Sequence, residues 1–259
     1  MKVSIRTIGE RCGLTERLWS GQYKRIFVMS DIHGDDIHFF RAKEELEFGS
    51  EDLVIIAGDF VDRCKPNSNL LKLCSEIRFD ENRDYEVLVL RGNHEEWMAN
   101  AINMYINNGL GDKKVDAIVD FAKYLSIEEL KGYSEWLGGL EIATELCVEK
   151  IDRKIKIAHA STIDYSSKNE TIMGESSTFF YEWCQTVDCK DINIVGHIPT
   201  NTLRYLLYVP NNKGGTDILH LNNDALIAID CGNGYRSSKI NGKLGILEIT
   251  QEGTQEYYF

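Results

Sequence analysis

The chain has 259 residues, 43% of them hydrophobic, with a formal net charge of −12. That apolar content can bury a substantial core, while the acidic balance argues against a nucleic-acid duplex or an anionic membrane as the main partner, because both require basic patches. No apolar run reaches membrane-spanning length, Met1–Lys24 lacks a secretory pattern, and the 7 cysteines match no zinc spacing, so a cytoplasmic protein with reduced thiols is expected. With only 3 prolines and no linker-like stretch, residues 1–259 read as a single domain.

In chain order, Met1–Lys24 is open between an added edge strand and a contact over the site. After it a local pattern recurs: a short, β-branched-rich run ends and a polar residue follows at once. Arg25–Ser30 leads into Asp31-Ile32-His33-Gly34. A helical pattern over 36–48 follows, with Asp35 and Asp36 expected to cap it. Leu53–Ala57 leads into Gly58-Asp59-Phe60-Val61-Asp62-Arg63, and Asn69–Phe79 reads as a helix. Tyr85–Leu90 leads into Arg91-Gly92-Asn93-His94-Glu95, with helical patterns over 95–107 and 115–124. Ser126-Ile127-Glu128-Glu129 has the spacing of a capping box opening a helix toward Leu137. Ile155–Ala158 leads into His159, Ile192–Val195 into Gly196-His197, and Leu226–Ile229 into Asp230-Cys231-Gly232. The aromatic group Phe179, Phe180, Tyr181 and Trp183 reads as packing, as do Trp97 and Tyr105. From about Leu203 the chain looks strand-like, with turns at 211–215 and Asn241-Gly242, which predicts antiparallel strands and a second sheet.

Strands alternating with helices imply an α/β layering, and ligands in such folds gather beyond the C-terminal strand ends. Of the 6 histidines, His33, His94, His159 and His197 all lie at strand ends, beside Asp31, Asp59 and Asn93. A lone histidine in such a place is more often structural. Four on one plan, with two carboxylates and an amide, would be costly to bury without a partner, and a metal pair supplies one. The donors are nitrogen and oxygen only, which suits Mn, Fe, Zn or Mg ions rather than a thiolate site. Asp31 and His33 can reach one ion, Asp59 can bridge two, and Asn93 adds a neutral oxygen; two ions about 3.5–4 Å apart hold a nucleophile and the phosphoryl oxygens together. His94 is read as the general acid and Asp62 as its orienting partner. Arg63 and Arg91 are read as phosphate-binding forks. Asp230 is expected to be supporting or structural, and His38 and His220 are given no role.

The blocks Asp31-Ile32-His33-Gly34, Gly58-Asp59-Phe60-Val61-Asp62-Arg63 and Arg91-Gly92-Asn93-His94-Glu95, followed by His159 and His197, resemble the calcineurin-like metallophosphoesterases, and more narrowly the phosphoprotein phosphatase family. Gly196-His197-Ile198-Pro199-Thr200 is similar to the bacterial and phage-lambda-phosphatase branch. The resemblance spans about residues 26 to 232. It implies a four-layer α/β (α+β) fold, with a central two-sheet β-sandwich flanked by helices, and attack by metal-bound hydroxide with manganese as the usual metal. It further implies a serine/threonine protein phosphatase, with a diadenosine tetraphosphate-type dinucleoside polyphosphate hydrolase as the alternative and an inactive scaffold as a remote one. Cys64 stands where the family has Gly, Ala160-Ser161 replaces a Gly pair after His159, and no arginine lies between His159 and His197, where the cations include Lys168 and Lys190.

Overall fold

The computed structural model describes residues 1–9, 15–63, 69–78, 80–108, 124–162, 177–187, 189–207, 209, 215–235 and 241–259. Cys64, Lys168, most of the helix expected over 115–124 and most of the turn expected at 211–215 lie outside these residues.

Among the described residues, twelve strands form two sheets. The seven-stranded sheet has the order β2 (Thr15–Gln22), β1 (Lys2–Gly9), β6 (Ala143–Val148), β7 (Ile155–Ala158), β8 (Ile192–Val195), β10 (Leu226–Ala228), β9 (Leu219–Leu221). The five-stranded sheet has the order β12 (Thr254–Tyr258), β11 (Gly245–Ile249), β3 (Arg25–Met29), β4 (Asp52–Ala57), β5 (Glu86–Leu90). Side chains alternate across each strand. Ile26 and Val28 of β3, with Leu53 and Ile55 of β4, face Ile5, Leu146, Ile157, Ile194 and Ile227 of the other sheet and form the sandwich core. Phe27, Met29, Val54 and Ile56 point the opposite way, into a layer of helices.

That layer contains α1 (Asp36–Glu45), α2 (Leu70–Arg78), α3 (Asn93–Asn108) and α4 (Ile127–Gly138), which bury Phe39, Leu73, Met98, Ile102, Leu130 and Leu137. The outer face of the seven-stranded sheet carries α5 (Ser177–Thr186) and α6 (Thr200–Leu206), with Trp183 and Leu203 packed on Val195 and Ala228. The result is helices, sheet, sheet and helices, the layering implied by the resemblance. β3 and β4 are buried on both faces, which is why they read as continuous apolar runs rather than alternating ones.

Two expectations need correction. Leu203 does not begin a strand region; it lies inside α6, and among the described residues the next strand is β9. The C-terminal strands also do not build a sheet of their own. β9 and β10 extend the seven-stranded sheet, whereas β11 pairs antiparallel with β3 in the other, Ile246 opposite Met29. The N-terminal segment forms the hairpin β1–β2, and β2 is an edge strand.

Candidate active site

Register brings the motifs together. β3 and β4 run parallel with Met29 beside Ile56, and β4 and β5 with Ala57 beside Leu90. In the other sheet β7, β8 and β10 are parallel, with Ile157 beside Ile194 and Val195 beside Ala228. The turns that follow continue the ladders: Asp31 N donates to the Gly58 carbonyl at 3.1 Å, His33 N to that of Asp59 at 3.0 Å, and Gly196 N to that of His159 at 2.8 Å. Both sheets therefore deliver their polar strand ends to one rim. Gly58 lets them meet: its φ is +82°, and a side chain there would fall 2.8 Å from both Gly92 N and the His159 ring.

Asp31, His33, Asp59, Asp62, Asn93, His94 and His159 are each at most 3% exposed. Two overlapping groups of donors stand within 4.8 Å of one another: His33, Asp59 and His94, and Asp59, His159 and His197. Asp59 belongs to both. Asp31 Oδ1 lies 3.7 Å from His33 Nε2, and Asn93 Oδ1 lies 3.1 Å from His159 Nε2. Beside a carbonyl, a ring nitrogen must be the donor. His159 Nδ1 therefore donates to the Ala57 carbonyl at 3.0 Å and His33 Nδ1 to that of Val61 at 3.3 Å. With Nδ1 committed in this way, it is Nε2 of each ring that is left to face the carboxylates, the orientation a metal ligand needs. The residues present fit a pair of divalent ions, with nitrogen and oxygen donors, one shared carboxylate and imidazoles oriented through their far nitrogen.

Charge is concentrated here. Burial pushes the Asp59 carboxyl up, but the imidazoles of His159 and His94 outweigh it and hold it far below the ordinary carboxylate range. Burial disfavours a charged His159, yet Asp59, Asp31 and Glu95 lift it to about 10, so an ion binding there competes with a proton. Burial and His159 push His197 down to about 4. Burial works against a charged His94 as well, but Asp59 and a hydrogen bond from its Nδ1 to Asp62 Oδ2, at 2.8 Å, raise it.

The two arginines differ. Arg63 Nη1 lies 3.4 Å from His33 Nε2, and its guanidinium covers the Tyr235 ring. Arg91 is 5% exposed, and its Nη1 donates to Glu96 at 3.0 Å and to the Gly138 carbonyl at 2.7 Å, so part of its fork is committed to the protein. Asp35 caps α1 and also binds the His38 ring, whereas Asp36 accepts from Asn69 N. Asp230 accepts from Gly232 N in the turn after β10, and burial next to Asp31 pushes its carboxyl well up. Trp97, a core residue in the sequence reading, packs against that core and also touches the His94 ring.

Sequence reasoning gave no task to Glu95. Its carboxylate accepts from the backbone N–H groups of Asp59 and Gly92, each at 2.7 Å, of Phe60 at 2.9 Å and of Val61 at 3.2 Å. Its place at the end of the third motif was the only signal. Ser30 and Asn233 were also missed. Ser30 Oγ donates to Asp31 Oδ2 at 2.5 Å, and Asn233 Nδ2 donates to the Ile32 carbonyl at 2.7 Å.

This geometry makes a candidate metal site at the strand ends of an α/β sandwich. The family model described as calcineurin-like phosphoesterase matches residues 24–229, and the chain belongs to that family. Among solved structures, it is similar to a protein described as a diadenosine tetraphosphatase, at 13% identity and a TM-score of 0.57, covering 91% of this chain and 93% of that one. A protein serine/threonine phosphatase from Saccharomyces cerevisiae is 15% identical with a TM-score of 0.53, covering 91% and 79%. A cold-active protein-tyrosine phosphatase of a psychrophilic Shewanella is 15% identical with a TM-score of 0.51, covering 91% and 80%. These likenesses are of fold. No curated protein matches the chain in sequence.

Proposed function

We propose that this chain hydrolyses phosphoesters with two divalent ions, manganese first among them, held by Asp31, His33, Asp59, Asn93, His159 and His197. The observation that carries this is Asp59 standing between His33 on one side and His159 and His197 on the other, on a rim built by both sheets, with Asp31 3.7 Å from His33 and Asn93 3.1 Å from His159. His94, in the first donor group, is set apart by its bond to Asp62. When bound, the ions polarise the phosphoryl group and make water acidic enough to attack at neutral pH. The protein's own residues supply the rest. His94, held by Asp62 with its Nε2 3.7 Å from Asp59 Oδ2, protonates the leaving oxygen. Arg63, the more exposed of the two arginines, takes the phosphate oxygens, and Arg91, with Nη1 held by Glu96 and Gly138, is the second phosphate-binding arginine. The phosphoprotein phosphatase resemblance points to phosphoserine or phosphothreonine proteins as substrate. A dinucleoside polyphosphate hydrolase uses the same residues, and the choice between them rests with the rim.

The test is hydrolysis of an aryl monophosphate, a phosphoserine peptide and diadenosine tetraphosphate by metal-stripped protein resupplied with manganese. His94→Asn is expected to lower turnover at least about a hundredfold and to leave metal content intact; loss of the metals in that variant would make His94 a ligand instead. Absence of hydrolysis with Mn, Fe, Zn or Mg would leave only the scaffold reading.

A further inference from the structure

The turn after β10 is fastened to the metal motifs residue by residue. Asn233, 1% exposed, donates Nδ2 to the carbonyl of Ile32, between Asp31 and His33. Gly234 lies against the His33 imidazole, where an added Cβ would sit 3.0 Å from Nε2 and closer still to Cδ2, so no side chain fits. Tyr235, with its N–H on the Gly232 carbonyl at 2.9 Å, turns its ring to Arg63, whose Cζ lies 5.0 Å from the ring centroid. Arg63 Nη1 in turn lies 3.4 Å from His33 Nε2. One guanidinium thus spans the distance between a candidate metal ligand and an aromatic ring that remains 36% exposed.

We infer that Tyr235 and Arg63 form a platform for the leaving group, selecting substrates that carry a planar aromatic ring next to the phosphoryl group. The inference rests on the hydrolase reading above, but not on the phosphoserine or phosphothreonine substrate named there, against which it stands. A phosphate bound by the Arg63 fork is held close to the Tyr235 ring, so a group attached to that phosphate comes within reach of the part of the ring that Arg63 leaves exposed. An aromatic group stacks there, on the exposed part of a rigid ring whose backbone is pinned. A seryl or threonyl ester offers no face to stack. The role is separable from the simpler one in which Tyr235 only orients Arg63, because orientation alone serves every phosphate equally.

The experiment is calorimetric binding of AMP, phenyl phosphate and inorganic phosphate to the manganese-loaded full chain carrying His94→Asn to slow turnover, with Tyr235 otherwise wild type, Tyr235→Phe or Tyr235→Ala. Tyr235→Ala is expected to raise the Kd of an aromatic ligand relative to inorganic phosphate by about tenfold, the size of one base–aromatic stack. Tyr235→Phe should keep the wild-type ratio. An effect confined to AMP identifies a nucleoside as the leaving group, and one confined to phenyl phosphate identifies an aryl ester. Equal weakening of all three ligands in Tyr235→Ala overturns the platform in favour of an orienting role, and an unchanged ratio overturns it outright. Failure of the wild type to hydrolyse any substrate would sink the hydrolase reading, while the binding ratio would still decide the platform.

Discussion

At the residue scale, the cost of building the site is written in the backbone. Asp31, His33, Asp59, Asp62, Arg63 and His197 all have positive φ, between 50° and 72°. Left-handed backbone is unfavourable for residues with a Cβ and persists only where the surroundings over-determine it. Glu95 is the main restraint on the turn that carries Asp59, since its buried carboxylate accepts from four backbone N–H groups. Glu95→Ala leaves those donors without an acceptor in a dry site, and a loss of at least about 3 kcal/mol in urea unfolding is expected. Glu95→Gln keeps the volume but turns an amide N–H₂ toward two N–H donors, so it should also destabilise. Stability of the Gln variant within about 0.5 kcal/mol of wild type would show that the carboxylate does not hold the turn. The ligand-type residues were legible in the sequence because they fall directly after apolar runs. The task of Glu95 was not, because its donors come from Asp59–Val61 and Gly92 and converge only in three dimensions.

At the element scale, legibility followed burial. β7 and β8 occupy the expected runs Ile155–Ala158 and Ile192–Val195, and Ser126 and Glu129 form the expected capping box at the start of α4. These signals are local: unbroken apolar runs, or a spaced pair of polar side chains. Of the two readings left open for Met1–Lys24, the added edge strand holds, as β2 of the β1–β2 hairpin. β6 escaped because Ala143–Val148 carries no clear period and depends on cross-strand partners distant in sequence, such as Leu146 opposite Ile5. The segment at Leu203 misled because its helical face is set by packing on Val195 and Ala228. A tertiary link of the same kind joins the two sheets at their edges. His220 of β9 binds Asp224 at 2.7 Å and Glu256 of β12 at 2.8 Å, and Tyr258 donates to the same Glu256 carboxylate. The hydrogen bond to Glu256 outweighs burial and raises the His220 pKa, while His220 lowers that of Glu256. The histidine's contribution is therefore complete below its unfolded value of about 6.5 and is lost as pH rises through its elevated folded value. The glutamate's contribution is present above its unfolded value and is lost as pH falls through its depressed one. His220→Gln should lower the unfolding free energy most near pH 6 and least in alkaline buffer, by under about 1 kcal/mol per half-exposed pair. A difference from wild type that does not change with pH would assign the effect to packing.

At the scale of the whole molecule, the candidate ligands come from both halves of the sandwich. Asp31, Asp59 and Asn93 follow strands of the five-stranded sheet, whereas His159 and His197 follow strands of the seven-stranded one. Bound ions would therefore tie the sheets together across the rim, in addition to the apolar core between them. They would also neutralise a chain of net charge −12 where its buried carboxylates Asp31, Asp59 and Glu95 crowd together. A ligand that binds only the folded state stabilises it by mass action, by about 2.7 kcal/mol at a hundred times its Kd. Chelator-treated protein is expected to unfold several degrees below manganese-saturated protein, with a midpoint that climbs with the logarithm of free manganese. Asp59→Asn should remove most of that climb, because Asp59 stands in both donor groups. His220→Gln should keep it, because the His220 link lies at the sheet edges, outside either donor group. A midpoint insensitive to manganese in the wild type would mean that the rim is satisfied without ions. A full climb in Asp59→Asn would mean that the ions are held without the carboxylate the two groups share.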